Sequence, residues 1–324
     1  MSRSSPPPGE PYLVTLGDVL AVMAANRDPG PFTLGTTLRL GIAGAESNVA
    51  VGVSRLGGSA TWIGRVSDDE LGDLVLRELR AEGVTTVAAR DPAPTSLLLK
   101  ERRTSTHSRT RYYRTHTAGA RLTADDIPEH LVAGAAVLHI TGITPALGEG
   151  PAAAVTRAVD IAAAAGVTIS LDVNFRSLLW SEAEARSILR PLLCRSDLVF
   201  AGPHEAALVV PGAADGPEEL AKGICDLGPA GAVIKLGEEG AYALLDGQPH
   251  RQPAVPVRVH DTVGAGDAFA AGYLAELLAG EPPERRLRTA ALLGAFAVST
   301  AGDWEGLPRR SELGLLDHHD DIVR

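Results

Sequence analysis

The sequence predicts an α/β protein in which a mostly parallel central sheet is flanked by helices in three layers, with a small β-sheet lid added. Three observations carry that prediction. From Val137 onward, strand-length apolar runs alternate with amphipathic ones: Val137–Thr141, Gly150–Ala165, Val167–Asp172, Glu182–Leu193, Leu198–Ala201, Glu218–Leu227 and Ala232–Lys235. Strand, helix, strand in succession is the order of a parallel sheet covered on both faces. Two extended runs, Thr95–Glu101 and Arg109–Thr115, are separated by the polar stretch RRTSTHS, which reads as a hairpin. Finally, the glycine-rich turn of DTVGAGDAFAAGYL, from Asp261, runs straight into an alanine-rich helix over Ala265–Ala279.

Taken in order, the chain begins with a polar, proline-rich lead, SRSSPPPGEP, which lacks the pattern of a signal peptide. Tyr12–Leu16 is a buried strand that delivers Asp18 at its carboxyl end, where ligands of open α/β sheets bind. Leu20–Ala24 and Leu38–Ile42 flank a polar insertion and are lid strands, so the lid is built from segments near 20–42 and 95–115. Val49, Val53 and Leu56 share a helical face that Gly57 and Gly58 end. Ala60–Gly64 is a strand, and Asp68–Glu82 a helix with an acidic start. Thr123 and Asp126 cap a short turn, and Leu287–Thr300 is the last helix. No internal repeat and no linker appears, so residues 12–308 read as one domain with polar tails at 1–11 and 309–324.

With 324 residues and 45% hydrophobic content, the chain is long enough to bury a large core. A net charge of −10 argues against nucleic-acid or anionic-membrane partners reached through bulk electrostatics, so any phosphate site is locally positive. No apolar run approaches the length of a membrane span, and a cytoplasmic protein is expected. Cys194 and Cys225 fit neither a disulfide framework nor a zinc site. The histidines, among them His107, His116, His139, His204, His250 and His260, are scattered and form no catalytic set.

The turn at Gly264, Ala265 and Gly266 can present several backbone N–H groups to an anion at a helix start. Asp267 on its rim is a base candidate for a hydroxyl that attacks a phosphate held there; its local alternative is an acidic helix cap. Gly44 and Asn48 bracket a turn into a helix, where a sugar can approach the backbone and an amide can pair with hydroxyls. On a lid strand, alternation sends Tyr112 and Arg114 to one face and Tyr113 to the other. The planar fork of Arg114 matches a carboxylate, while a solvated edge arginine is the equal alternative by spacing alone. Charged residues after a strand are usually solvated loop, which is the reading for Asp172.

The stretch from Asp261 to Leu274 closely resembles the C-terminal motif of the ribokinase-like (PfkB) kinases of small molecules. Their N-terminal motif is matched by LRLGIAGAESNVAVGVSRLGG from Leu38, followed by GRVSDDELGDLVLRELRAEGV. The resemblance covers about Tyr12 to Pro308, and GAESN, YYR, LDVNFRSLLW and GDWEGLP bring the chain nearest to the 2-keto-3-deoxygluconate kinases. It implies a ribokinase-like fold, ATP and Mg²⁺, room for a monovalent cation such as K⁺, and a sugar-acid acceptor. The exposed edges of the lid strands favour pairing, so a homodimer or larger homo-oligomer is expected. Carried onto this chain, the resemblance places Asp18, Gly44, Asn48, Tyr112, Arg114, Asp267 and Asp303 at the substrate. Asn174, Arg176, Lys235, Gly237, Gly240, Gly264 and Gly266 fall to the nucleotide, with Arg176 facing the transferred phosphate. Glu205 fits an indirect magnesium role, although Gly202 replaces the usual asparagine, and Leu98 stands where similar kinases often carry tyrosine. Rival readings are a kinase of another sugar or nucleoside (ribose, fructose, 5-keto-2-deoxygluconate) or a nucleotide sensor without turnover. A dehydrogenase is disfavoured because no glycine fingerprint follows the first strand.

Overall fold

The computed structural model describes residues 9–25, 30–102, 104, 108–210, 212 and 216–316. His107, most of the proline-rich lead and the end of the C-terminal tail lie outside the described residues. The first half of the chain contributes strands β1 (Tyr12–Leu16), β2 (Leu20–Ala25) and β3 (Leu38–Ala43), then α1 (Ala45–Arg55), β4 (Ser59–Ser67), α2 (Glu70–Ala81) and β5 (Thr85–Asp91). After β6 (Ser96–Arg102) and β7 (Ser108–Tyr113) come α3 (Glu129–Ala133), β8 (Val137–Thr141), α4 (Glu149–Ala165), β9 (Thr168–Asp172) and α5 (Glu182–Leu193). The remainder is β10 (Leu198–Ala201), α6 (Pro203–Val209), α7 (Pro217–Cys225), β11 (Gly231–Lys235), β12 (Ala241–Leu245), β13 (Gln248–Gln252), α8 (Ala265–Leu278) and α9 (Pro283–Val298).

Nine strands form one sheet in the order β13-β12-β11-β10-β9-β8-β1-β4-β5. From β11 through β5 every neighbour is parallel, and the β12–β13 hairpin adds two antiparallel strands at one edge. The two faces carry separate apolar clusters. One gathers Leu138, Ile140 and Leu171 with Val155 and Leu189 of α4 and α5; the other gathers Leu13, Trp62 and Phe200 with Val49 and Tyr273 of α1 and α8. That division is the three-layer arrangement, and it explains why α8 is apolar around most of its circumference: residues Asp267 to Glu276 are all buried. Phe200 and Tyr273 meet edge to face across this layer with ring centroids 5.4 Å apart.

The second sheet, β3-β2-β6-β7, is the small one expected from the segments near 20–42 and 95–115. Leu98 packs there with Leu20, Val22 and Ala43 in a cluster of its own. The Thr123 capping turn forms as expected, with the Thr123 N–H and hydroxyl both donating to Asp126. Strand β5, the β12–β13 hairpin and helices α3 and α6 are additions to the expected elements. Residues 310–316, expected as tail, form a 3₁₀ turn tied to the core by Arg310, which bonds Glu276 and the Leu56 carbonyl.

Strand β1 lies between β4, which follows it, and β8, reached from the other direction. This is the switch point at which a crevice opens beyond the carboxyl ends of the strands. Asp18, Asp172 and Lys235 all leave strands at that end, and the start of α8 meets them there.

Candidate active site

At the start of α8, Gly264 adopts φ 74°, and a Cβ on it would lie 2.3 Å from the carbonyl oxygen of Asp303. Only glycine fits both demands. Asp267 follows in the first turn and is buried. Its Oδ2 accepts the amide of Asn48 from α1 at 2.9 Å, and its Oδ1 accepts the amide of Asn174 from the loop after β9 at 3.2 Å. Asn174 holds a left-handed φ of 40°, which turns its side chain back toward α8, and its own N–H is received by Asp172. Asn48 and Asn174, assigned to substrate and nucleotide on resemblance, are thus brought together on the base candidate. The Asn48 Oδ1 atom is buried without a partner among the described residues.

Asp172 corrects the sequence reading: it is buried, and both its oxygens receive the Lys235 ammonium, at 2.7 and 2.9 Å. A lone carboxylate there would be costly, so the partner on β11 is what permits the burial. Burial holds the Asp172 carboxyl above its usual range against the pull of Lys235, with Glu205 and Asp267 adding to the rise. Burial opposes the charge on Lys235, but Asp172, Glu205 and Asp267 outweigh it and keep the ammonium protonated. The Lys235 Nζ lies 3.4 Å from where a Cβ on Gly266 would be, so this cation stands beside the glycine turn that opens α8. Gly237 faces open space, whereas Gly240 is required by the chain itself, because a Cβ would sit 2.0 Å from the Gln252 carbonyl oxygen.

Arg176 is exposed on the same loop as Asn174 and makes no side-chain hydrogen bond or ion pair among the described residues. Glu205 accepts the N–H of Gly202 with one oxygen and that of Phe175 with the other, at 2.7 and 2.9 Å. It caps α6 and braces the Asn174 loop. Each oxygen accepts one N–H and keeps a lone pair, which suits the indirect role through a metal-bound water, and no group of three acidic, histidine or cysteine side chains suited to a metal occurs among the described residues.

A second group lies under the small sheet. Arg114 donates to Asp18 Oδ2 at 3.1 Å, and Ser96 donates to Asp18 Oδ1 at 3.0 Å. Gly44 approaches so closely that a Cβ would lie 2.5 Å from the Asp18 carbonyl oxygen. The Arg114 Nε is buried without a partner among the described residues, and the Tyr112 ring lies 5.9 Å from the guanidinium, on the shared face that alternation requires. Glu46, not singled out by the sequence reading, is fully buried beside this group and accepts the hydroxyls of Thr141 and Thr144 at 2.7 and 2.6 Å. Burial pushes its carboxyl up; the two threonines and, at longer range, Arg114 oppose the rise. Its signal in the sequence is an acid flanked by small residues at a helix start that turns inward.

Asp303 borders both groups. Its turn is sewn to the small sheet: Trp304 Nε1 donates to the Ile42 carbonyl at 3.0 Å, Glu305 pairs with Arg39 at 3.4 Å, and Glu305 accepts the Asp303 N–H at 2.8 Å. Burial, then the nearby Asp267 and Glu305 charges, push the Asp303 carboxyl up to about 7. A folded-state value above the unfolded one means that stability falls as pH rises from the unfolded value near 4 toward 7. Asp303→Asn is therefore expected to gain on the parent protein across that interval and to unfold about 1–3 °C higher at pH 8, with no gain at pH 3.5, as read by scanning calorimetry.

Comparison with known proteins adds an independent observation. The family model described as pfkB family carbohydrate kinase matches residues 11–310. A 2-dehydro-3-deoxygluconokinase of Bacillus subtilis (strain 168) is 36% identical over 305 residues, covering 93% of each chain. One from Thermoproteus tenax is 35% identical over 306 residues, covering 93% of this chain and 92% of its own. Among solved structures, an E. coli protein provisionally named Ribokinase II, in complex with ATP and Mg²⁺, superposes with a TM-score of 0.87 at 26% identity, covering 95% of this chain and 99% of its own.

Proposed function

Because the chain belongs to the pfkB family of carbohydrate kinases, we propose that it transfers the γ-phosphoryl group of MgATP to 2-keto-3-deoxygluconate. The products are 2-keto-3-deoxy-6-phosphogluconate and ADP. The observation that carries this reading is the Asp267 carboxylate, held by two asparagine amides on the rim of the α8 donor turn. Each of its oxygens keeps a lone pair for the acceptor hydroxyl. As the hydroxyl oxygen bonds to the γ-phosphorus, its proton passes to Asp267 and the bond to the β-phosphate oxygen breaks. The N–H groups of Gly264, Ala265 and Gly266 hold the charge of the moving phosphoryl, with Lys235 beside them and Arg176, unpaired among the described residues, reaching in from the loop after β9. Gly237 and Gly240 shape the nucleotide side.

On the acceptor side, Asp18, Gly44, Asn48, Tyr112, Arg114 and Asp303 line the crevice. Arg114 retains N–H donors that Asp18 does not use, and the free Asn48 Oδ1 accepts a sugar hydroxyl. The metal would enter as part of MgATP and supply charge neutralisation to the phosphates, with Glu205 placed to hold a water of its shell. Residues 12–308 act as one kinase domain with the small sheet as its lid, working in the cytoplasm. Leu38, Leu40 and Tyr113 are exposed on that sheet at 39%, 48% and 55%. Their side favours a homodimer formed lid to lid, which sedimentation reads directly.

The test is a screen of keto-deoxy acids, neutral hexoses, ribose and nucleosides with MgATP, reading product mass. Phosphorylation of 2-keto-3-deoxygluconate ahead of every neutral acceptor is the expected result. Preference for a neutral sugar or nucleoside counts against the acceptor assignment, and absence of all turnover favours a sensor. Repeating the screen with and without K⁺ reads the monovalent-cation requirement.

A further inference from the structure

We propose that Lys100 is a positioning residue for phosphoryl transfer: from the lid it latches onto Asp261, the residue that opens the anion-binding turn, so that lid closure and ordering of that turn are one event. Lys100 lies on β6, two residues beyond Leu98 and therefore on the same inward side of the small sheet. Its ammonium forms an ion pair with Asp261, 161 residues away, and the two side chains are only 20% and 21% exposed. Such a pair is shielded from solvent and holds its geometry better than a surface contact.

The Asp261 carboxylate has a second task. Its other oxygen accepts the Val263 N–H at 3.3 Å, inside the turn that leads to Gly264. Behind the turn, the His260 and Asp261 N–H groups both donate to the Val298 carbonyl of α9, at 2.6 and 3.2 Å. In front, Gly264 rests on the Asp303 backbone. Of these three supports, the Lys100 contact alone bonds the turn directly to a lid strand; the Asp303 segment reaches β3 only through Trp304 and Glu305. Thr262 and Val263 are otherwise exposed.

Charge points the same way. Asp261, Asp267 and Asp303 surround the turn that must receive a triphosphate, and their repulsion opposes it. Lys100 is the cation that the lid brings to them, and its field opposes the rise at Asp303. Closing the lid neutralises part of the acidic rim as the phosphoryl group arrives. Opening it frees Asp261 and loosens the turn.

The inference rests on the carbohydrate-kinase activity and not on which sugar is the acceptor. Lys100→Met, Asp261→Asn and their double variant are compared on whichever acceptor the parent enzyme turns over best. Each single change is expected to lower kcat and kcat/KM together by about 10- to 100-fold, with KM for ATP little changed. The double variant is expected to be no slower than the slower single one, and Lys100→Arg to keep most of kcat. ATP hydrolysed per sugar phosphate formed rises in Lys100→Met, because a loosened lid admits water to the turn. Parent-like kcat in Lys100→Met, or losses that multiply in the double variant, overturn the proposal. Should the parent turn over no acceptor, the kinase assignment fails and hydrogen exchange decides the latch. Residues 96–100 and 262–266 gain protection together on adding MgATP to the parent, and this coupling is lost in Lys100→Met; identical exchange in both proteins overturns the latch.

Discussion

Asp267→Asn is expected to slow phosphoryl transfer by roughly two to four orders of magnitude while leaving ATP affinity nearly intact. The substitution preserves size and removes the ability to take a proton together with one negative charge of the acidic rim. Its cost to the fold is limited by the surrounding amides: Asn48 and Asn174 both donate to Asp267, so the new amide nitrogen meets one donor it cannot accept. Asn48 resolves this by rotating, since its Oδ1 is unused and turns to receive the new N–H. The Gly264–Gly266 backbone and Lys235 make no hydrogen bond to the Asp267 side chain among the described residues and keep their places. Single-turnover rates with saturating acceptor, beside an ATP titration, separate the two effects. A turnover close to that of the parent would remove Asp267 from the mechanism.

Arg114→Lys is expected to lower kcat/KM for the sugar acid by about 10- to 100-fold, and to affect a neutral acceptor far less. A lysine keeps the charge that balances Asp18, so the buried pair survives and the fold with it. What it loses is the fork. The guanidinium gives Asp18 one N–H of Nη2 and keeps the other, which with the neighbouring Nε or Nη1 makes one planar fork for a carboxylate, whereas an ammonium held by Asp18 offers a point charge. Comparing the acid with its lactone or a neutral hexose isolates this contribution. Equal losses on both acceptors would mean that Arg114 holds the lid and does not read the substrate.

Much of the arrangement is legible in the chain because it is local. Alternating apolar periods disclose the parallel core, the glycines of the 264–266 turn disclose a tight helix start, and strand alternation puts Tyr112 beside Arg114. The less visible parts are those whose meaning depends on a distant partner. Asp172 looks like loop until Lys235, 63 residues later, is laid against it. Glu46 is a plain acidic first-turn residue until Thr141 and Thr144 close over it. Strand β5 was hidden by its composition: TTVAARD carries charge and sits at an open edge with several half-exposed positions. Strand β13, QPHRQ, contains a proline that an edge tolerates and a central strand would not. Asp18 and Arg114 are both visible as site residues, but nothing near either one in sequence says that they pair.

The hydrogen bond between Asn48 and Asp267 spans 219 residues of chain, and the Asp303 carbonyl that seats Gly264 comes later still. The crevice can close only after synthesis has passed residue 303, long after α1 has been made. Until then α1 waits with its α8-facing side uncovered, the side on which Asn48 meets Asp267 and Gly52 lies against Ala271. Such late closure makes for slow maturation and a window in which nascent chains clump, so yield on overexpression should respond strongly to temperature and to chaperone supply.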